Sequence, residues 1–416
     1  MRYQDVLDAI FASYLRVAPR HQGRLDRDVR NPHILLAIIK ELGLMPPPQK
    51  TIRVTGSKGK GTVSRFILGE LRALFPEARV GLLVSPHELD HTDRMRINDR
   101  IPTPDEFVRL YDKVKAHLNH RAESFEEGDY FSPSGLFALL ALVWFHEEKV
   151  DFWVLETGRG VIHDEVGLIP SEVSLVVSIF AEHLDKLGPS EEDIAHEKLA
   201  IMKNSKVSVL GPSAWTWYQQ LQQSLSADAH SPVVTNPASK LISDPPAMPW
   251  WIQQNWQLAQ TGVQALTGQT RPSPSSLESP SYVSLALDSQ RLILECLISL
   301  ESLDKDFYRE QLATFQKPAV VFLCLPDDKD WQRLPNYFTE ELGCTVILVS
   351  IEAQGLKFYQ TRELVGQLTH HCPKEVESSL AQHLLQHLPH PTELCLFLGT
   401  HSFIRQLKIS LGLALV

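Results

Sequence analysis

The run Val54-Thr55-Gly56-Ser57-Lys58-Gly59-Lys60-Gly61-Thr62 places glycines, lysines and a hydroxyl between an alternating stretch at 51–55 and apolar residues at helical spacing, Phe66, Ile67, Leu68, Leu71 and Leu74. Glycines let backbone N–H groups converge on an anion, and the start of the helix adds partial positive charge. Within that turn Lys60 is placed to neutralise a terminal phosphate, and Thr62 offers a hydroxyl to magnesium. The spacing is shorter than the strict Walker pattern, so an ordinary glycine turn is the competing reading. Other reactive groups stand where strands should end. Ser85-Pro86-His87 follows a strand at 79–84, and Glu156 closes the apolar run Phe152-Trp153-Val154-Leu155. A carboxylate at the end of so apolar a strand suits a magnesium ligand, with a solvated strand end as the plainer alternative. His183, after a strand at 173–179, offers a metal-ligating nitrogen, although a lone loop histidine is more often a surface residue.

Positioning these groups requires strands that end together. After helical stretches at 3–15 and 32–42, strand signals at 51–55, 79–84, 152–156, 173–179 and 206–210 alternate with helices at 60–74, 104–118, 135–148 and 191–203. That alternation predicts a mainly parallel sheet with helices on its faces, which binds ligands at the carboxyl ends of its strands. Periodicity fades at 231–248, a helix is predicted at 252–266, and residues 267–281 read as a linker. A second α/β unit then follows: strand 282–287, helix 291–300, strand 319–323, helix 331–342, strand 345–349, helix 376–385 and strand 393–397.

Composition narrows the class. A chain of 416 residues with 43% hydrophobic content has material for more than one core. Its net charge of -10 argues against a general binder of nucleic acid or anionic membranes. No charged-then-apolar leader is evident, and apolar runs such as 136–145 are too short to span a bilayer, so a cytoplasmic protein is expected. The five cysteines form no C-x-x-C pair and are read as buried thiols. His370-His371-Cys372 matches no zinc spacing and is read as a surface loop.

Taken in order, the motifs resemble one family. The segment 54–62 resembles the ATP loop of the Mur-ligase superfamily in its folylpolyglutamate synthase and dihydrofolate synthase branch, A-G-T-N-G-K-G-S. Ser85-Pro86-His87 with Arg94-Met95-Arg96-Ile97-Asn98 resembles S-P-H-L and E-R-I-R-I-N. Leu155-Glu156-Thr157-Gly158-Arg159-Gly160 resembles L-E-V-G-L-G-G-R, segment 182–188 resembles D-H-x-x-x-L-G, and segment 194–203 resembles I-A-x-E-K-A-G-I-I-K. Ordered segments of this kind make chance similarity improbable.

The resemblance implies an α/β protein: a P-loop, mainly parallel-sheet ATPase domain (1–267), a hinge (268–281) and a smaller Rossmann-like α/β C-terminal domain (282–416). It implies that Gly56, Ser57, Lys58, Gly59, Lys60, Gly61 and Thr62 hold ATP. It assigns Thr62, Ser85 and Glu156 to one magnesium ion and His183 to a second metal. Lys198 corresponds to a lysine carboxylated to a metal-binding carbamate, and Lys60, Lys198 and His183 would serve catalysis. The implied reaction joins a small-molecule carboxylate to an amine, that of an amino acid, through an acyl phosphate.

The C-terminal part keeps the outline in 322–331 and 396–404 but departs in detail. Asn255, in a segment like H-Q-x-x-N, is a candidate adenine contact. Where the family has V-I-L-D-G-A-H-N, residues 283–290 read V-S-L-A-L-D-S-Q, so Asp288 is the candidate substitute for the nucleotide-contacting aspartate, and Arg271 or Arg291 for a missing arginine. Gly135 stands at a usually acidic position and Arg159 at a commonly apolar one, both near the expected acceptor pocket. These departures keep three functions open: a ligase for a specialised carboxylate, a dihydrofolate or folylpolyglutamate synthase, and a non-catalytic ATP-binding partner of another ligase.

Overall fold

The computed structural model of the chain describes residues 1–88, 90–225, 232–234, 249–271, 282–327, 329, 331–352, 358 and 368–413. Contacts divide the chain into two units, Met1–Lys240 with Gln254–Pro274, and Leu241–Gln253 with Ser275–Val416. Most of the expected hinge, residues 272–281, lies outside the described residues.

The first unit holds β1 (Thr51–Thr55), β2 (Val80–Leu83), β3 (Met95–Ile97), β4 (Phe152–Glu156), β5 (Ser171–Val176), β6 (Ser205–Leu210) and β7 (Val233–Val234) in the order β3-β2-β4-β1-β5-β6-β7. Every neighbouring pair is parallel except β2 with β3. β1 lies between β4 and β5, and all its residues are buried because helices cover both faces. Pairing of Val54 with Glu156 and of Thr55 with Val176 brings three strand ends level, so the loop after β1 starts beside the Glu156 carboxylate. Arg53 on β1 is fully buried and is held by the Ser171 hydroxyl at 2.9 Å, the Ile201 carbonyl at 2.8 Å and the Gly167 carbonyl. Burial pushes its pKa down to about 9, so these acceptors are what keep the guanidinium there.

The helix Pro133–Glu147 is apolar around its whole circumference, and Gly135 through Phe145 are buried against N-terminal helices and the sheet. Fully burying a Leu or Phe there contributes about 1.5–3 kcal/mol. Among the described residues no helix is long and apolar enough to cross a membrane. All five cysteines are free thiols and buried.

The second unit holds β8 (Tyr282–Leu287), β9 (Gln290–Glu295), β10 (Val320–Cys324), β11 (Thr345–Ile351), β12 (Leu368–Cys372) and β13 (Leu394–Gly399), ordered β12-β11-β10-β13-β9-β8. Only β8 runs antiparallel to its neighbour. The helix expected at 291–300 is therefore a strand. Leu292, Ile293 and Leu294 are all completely buried, and an apolar run with no solvent face fits a strand covered on both sides as readily as a helix. The helix expected at 331–342 is instead a short α-turn, Arg333–Asn336, followed by a π-turn, Tyr337–Glu341. His370 and His371, read as loop, lie on strand β12.

Candidate active site

The glycine turn is shaped by its neighbour β5. The Ser57 amide donates to the Ser178 carbonyl at 2.7 Å, the Lys58 amide donates to the Ser178 hydroxyl at 2.9 Å, and that hydroxyl donates back to the Lys58 carbonyl. Ser57 and Lys58 thus use their amides to fix the loop. Gly56 has φ 146° and lies so near Val177 and Ser178 that a Cβ would approach the Ser178 nitrogen to 3.0 Å. Gly59 has φ 86°, and a Cβ there would stand 3.0 Å from the Asn255 side chain. Asn255 is therefore packed against the loop itself. The helix Lys60–Leu74 begins at Gly59 without a capping side chain, so its first turn presents backbone N–H groups to an anion. Lys60 donates from Nζ to the Gly56 carbonyl at 2.8 Å, which holds its ammonium over the turn.

Glu156 is 2% exposed, and its Oε2 has no hydrogen-bond partner among the described residues. That oxygen would lie 3.5 Å from a Cβ on Gly61, beside buried Thr62. Burial raises the Glu156 pKa to about 7, opposed by Lys60, Arg65, the Ser85 amide and Arg94. A buried carboxylate with one unused oxygen, beside the Ser85 amide and the start of the helix at Gly61, fits a magnesium ion, which favours oxygen donors. Thr62, Ser85 and Glu156 are the residues that would hold it.

Lys198 is fully buried in the helix Glu191–Leu199. Its Nζ pairs with Glu182 Oε1 at 2.8 Å and donates to the Arg159 carbonyl at 3.1 Å. Burial, reinforced by the charge of Lys60, lowers its pKa to about 8 against the pull of Glu182. His183 stands in the left-handed region, φ 48°, at the start of a short helix, Leu184–Leu187, with Nε2 3.9 Å from Glu182 Oε2. Partial burial lowers its pKa, with Glu182 opposing and Arg159, Lys60 and Lys198 adding to the shift. Lys60, Lys198, His183 and Glu182 thus form one electrostatic group.

A second charged group borders the first. Arg30, buried, faces Glu165 at 3.3 Å, Asp164 at 3.6 Å and Asp26 at 3.9 Å. Arg159 grips Asp26 with two bonds of 2.7 Å. Burial raises the pKa of Asp164, and it raises that of Glu165 to about 7. Ser85, Arg94, Ser134, Phe137, Glu156, Asp164 and Glu165 line one recess, which joins the Glu156 carboxylate to this acidic pair. Sequence reading singled out none of Asp164, Glu165 and Glu182, and it takes the charge run 16–31, which holds Asp26 and Arg30, as a solvated loop ahead of an anion site for a carboxylate. Their charges are scattered along the chain, and the signals available were that charge run and the pair of acids that follows the glycines of 158–160.

No family model matches the chain. Two curated relatives are the dihydrofolate synthase/folylpolyglutamate synthase of Escherichia coli (strain K12), 30% identical over 175 residues, and the mitochondrial folylpolyglutamate synthase of Homo sapiens, 31% identical over 216 residues. These matches cover 42% and 49% of this chain, and 39% and 35% of the relatives. The chain therefore spans well under two thirds of the length of the relatives it matches. Among solved structures, the apo form of the L. casei folylpolyglutamate synthase superposes with a TM-score of 0.75 at 17% identity, covering 99% of this chain and 100% of that one. The bifunctional folylpolyglutamate synthase/dihydrofolate synthase of Yersinia pestis, complexed with AMPPNP and a manganese ion, gives 0.69 at 20% identity, covering 92% and 93%. Over the matched residues the chain is similar in sequence to folylpolyglutamate synthases, and over nearly its whole length it shares their fold.

In this folylpolyglutamate synthase-like chain the C-terminal candidates fall elsewhere than their residue types suggested. Asp288 lies exposed, at φ 51°, in the turn between β8 and β9. That turn is at the amino end of β9, opposite the carboxyl edge where open α/β sheets bind ligands. The carboxyl end of β9 carries Glu295, so Leu292-Ile293-Leu294-Glu295 is the apolar strand ending in an acid. Glu295 is fully buried and accepts a 2.5 Å bond from the Tyr308 hydroxyl. Both arginine substitutes are engaged: Arg271 binds Glu70 at 2.6 Å and Arg291 donates to the Ser284 hydroxyl at 3.0 Å.

Proposed function

We propose that the folylpolyglutamate synthase-like chain is an ATP-dependent ligase that joins a small-molecule carboxylate to the amine of an amino acid. The observation that carries this is the buried Glu156 carboxylate, with an unused oxygen, facing a glycine turn that Lys60 spans. Phosphoryl transfer between two anions calls for charge neutralisation and alignment more than for an acid or base. The N–H groups at the start of the helix Lys60–Leu74 and the Lys60 ammonium would hold the phosphates. The substrate carboxylate oxygen attacks the γ-phosphorus, the bond to ADP breaks, and an acyl phosphate forms. The amine then attacks the acyl carbon, loses a proton and expels phosphate, leaving the amide. Magnesium, when bound by Thr62, Ser85 and Glu156, would screen the phosphate charge. Lys198 at a pKa of about 8 keeps a share of neutral amine near neutral pH, the form that reacts with CO2 to give a carbamate. That carbamate, with His183, would serve a second metal. A reaction that consumes ATP fits a cytoplasmic setting.

A folate reading is favoured by the names of the relatives, dihydrofolate synthase and folylpolyglutamate synthase. The specialised-carboxylate reading rests instead on the ion pairs of Arg30 with Asp26, Asp164 and Glu165 and of Arg159 with Asp26, a charged cluster beside the recess that Asp164 and Glu165 line. Phosphate release measured with ATP, Mg2+ and a panel of carboxylates and amino acids, dihydropteroate with glutamate included, tests both. Turnover with a pair from the panel, lost in Lys60→Ala, is the expected result. Turnover with dihydropteroate or folate plus glutamate selects the folate reading. ATP binding without turnover on any pair would overturn the ligase and leave a non-catalytic nucleotide-binding partner.

A further inference from the structure

We propose that His370, His383 and His387 form a three-imidazole site for a late first-row divalent cation such as zinc, ligated through their Nε2 atoms. The site belongs to the second unit and uses none of the residues assigned to ATP or magnesium. His370 lies on β12, an edge strand, and shares its face with Cys372, which is buried under the helix Leu380–Gln386. That helix turns Leu380, Ala381 and Leu384 into the core. The same periodicity sets His383 and His387 one turn apart on its flank, beside His370. One ligand atom from each residue lies within 4.8 Å of the other two. The ring centroids are 4.6, 4.6 and 5.0 Å apart.

The hydrogen bonding prepares the nitrogens. His387 Nδ1 lies 2.7 Å from the His383 carbonyl, which only accepts, so Nδ1 carries the proton and Nε2 presents its lone pair. Metal-binding histidines commonly fix their tautomer this way. His370 Nε2 and His383 Nε2 stand 2.9 Å apart, sharing one proton that a cation can replace. Tetrahedral zinc with bonds of about 2.05 Å needs roughly 3.3 Å between ligand nitrogens, an opening of about 0.4 Å within reach of small χ rotations. Burial and the neighbouring imidazoles lower the pKa of His370 and His383, which keeps both in the neutral, ligating form at pH 7. An all-nitrogen set favours zinc, nickel or copper(II) over magnesium, which favours oxygen. His371 points to the other side of the strand, where its Nδ1 lies 3.0 Å from the Ser350 hydroxyl. A cation bound here would pin the edge strand to the helix.

Calorimetric titration of the full, chelator-treated chain with ZnCl2 tests this, paired with the visible spectrum of the Co2+ form. Expected is one tight equivalent, weakened at least about tenfold by His383→Gln or His387→Gln, and unchanged in Glu156→Gln. The Co2+ bands should disappear in the double histidine variant. Circular dichroism checks folding, and His387→Asn at the exposed cap serves if His383→Gln is misfolded. Absence of a tight equivalent, or equal affinity in wild type and histidine variants, overturns the proposal.

Discussion

The carboxylate of Glu165 lies directly over Gly135: a Cβ at 135 would stand 2.4 Å from Glu165 Cδ and 2.6 Å from a Leu35 methyl. The same carboxylate accepts from the Ser132 hydroxyl at 2.7 Å and faces Arg30. The chain thus places glycine on the helix and brings the acid to this spot from residue 165. Gly135→Ala should destabilise the chain by about 1–3 kcal/mol through overpacking. Combining it with Glu165→Ala should recover part of that loss, because the main clash goes. Denaturant midpoints of the two single variants and the double variant give the coupling directly, and strict additivity would refute it.

Glu156 should couple pH to metal. Its folded pKa, about 7, exceeds the ordinary value of 4.5, so between these pH values the folded state binds the extra proton. The metal-free chain should therefore lose stability as pH rises through that window, by roughly 3 kcal/mol for a shift of this size. Lys60, Arg65 and Arg94 face the same carboxylate and hold its rise to that value. Glu156→Gln should flatten the profile while abolishing the gain in melting temperature from Mg2+ and ATP. In wild type that gain should grow from pH 6 to pH 8, since the ion competes with the proton. Thermal melts across pH, with and without Mg2+ and ATP, read both effects.

Lys198 should require CO2. At pH 7.5 a lysine of pKa about 8 is about one quarter neutral, enough to react, whereas an ordinary lysine is almost wholly charged. Depleting bicarbonate should lower the rate of phosphate release, and Lys198→Ala should lower it about a hundredfold or more. Formate or acetate should restore part of the activity of that variant by placing carboxylate oxygens in the vacated space. Labelled bicarbonate, followed by carbon NMR, would register the carbamate itself; full activity without CO2 would exclude it.

The two acids around β9 should behave oppositely. Asp288→Ala alters an exposed turn and should change stability by about 0.5 kcal/mol or less and leave ATP affinity as it was. Glu295→Ala strands the buried Tyr308 hydroxyl and should cost about 1–3 kcal/mol. Restoration by Glu295→Ala/Tyr308→Phe would show that the loss comes from the unpaired hydroxyl. Chemical denaturation with nucleotide titration separates these outcomes.

Much of the first unit was legible in the amino-acid sequence because its signals are local. Apolar runs of strand length alternate with helical periodicity, the glycines of 56–61 mark a turn, and Glu156 ends a strand that has no other polar residue. Those patterns determine the mainly parallel sheet, the glycine turn after β1 and the acid beside it. Tertiary structure alone decided what long-range packing controls. Leu292-Ile293-Leu294 is apolar in any conformation, and only pairing with β13 and β8 makes it a strand that carries Glu295 to the sheet edge. The Arg30 cluster draws its charges from residues 26, 164 and 165, and His370 meets His383 across a strand and a helix. Sequence fixes residue types and local periods, whereas the distances that turn charges into a site depend on how separate elements pack.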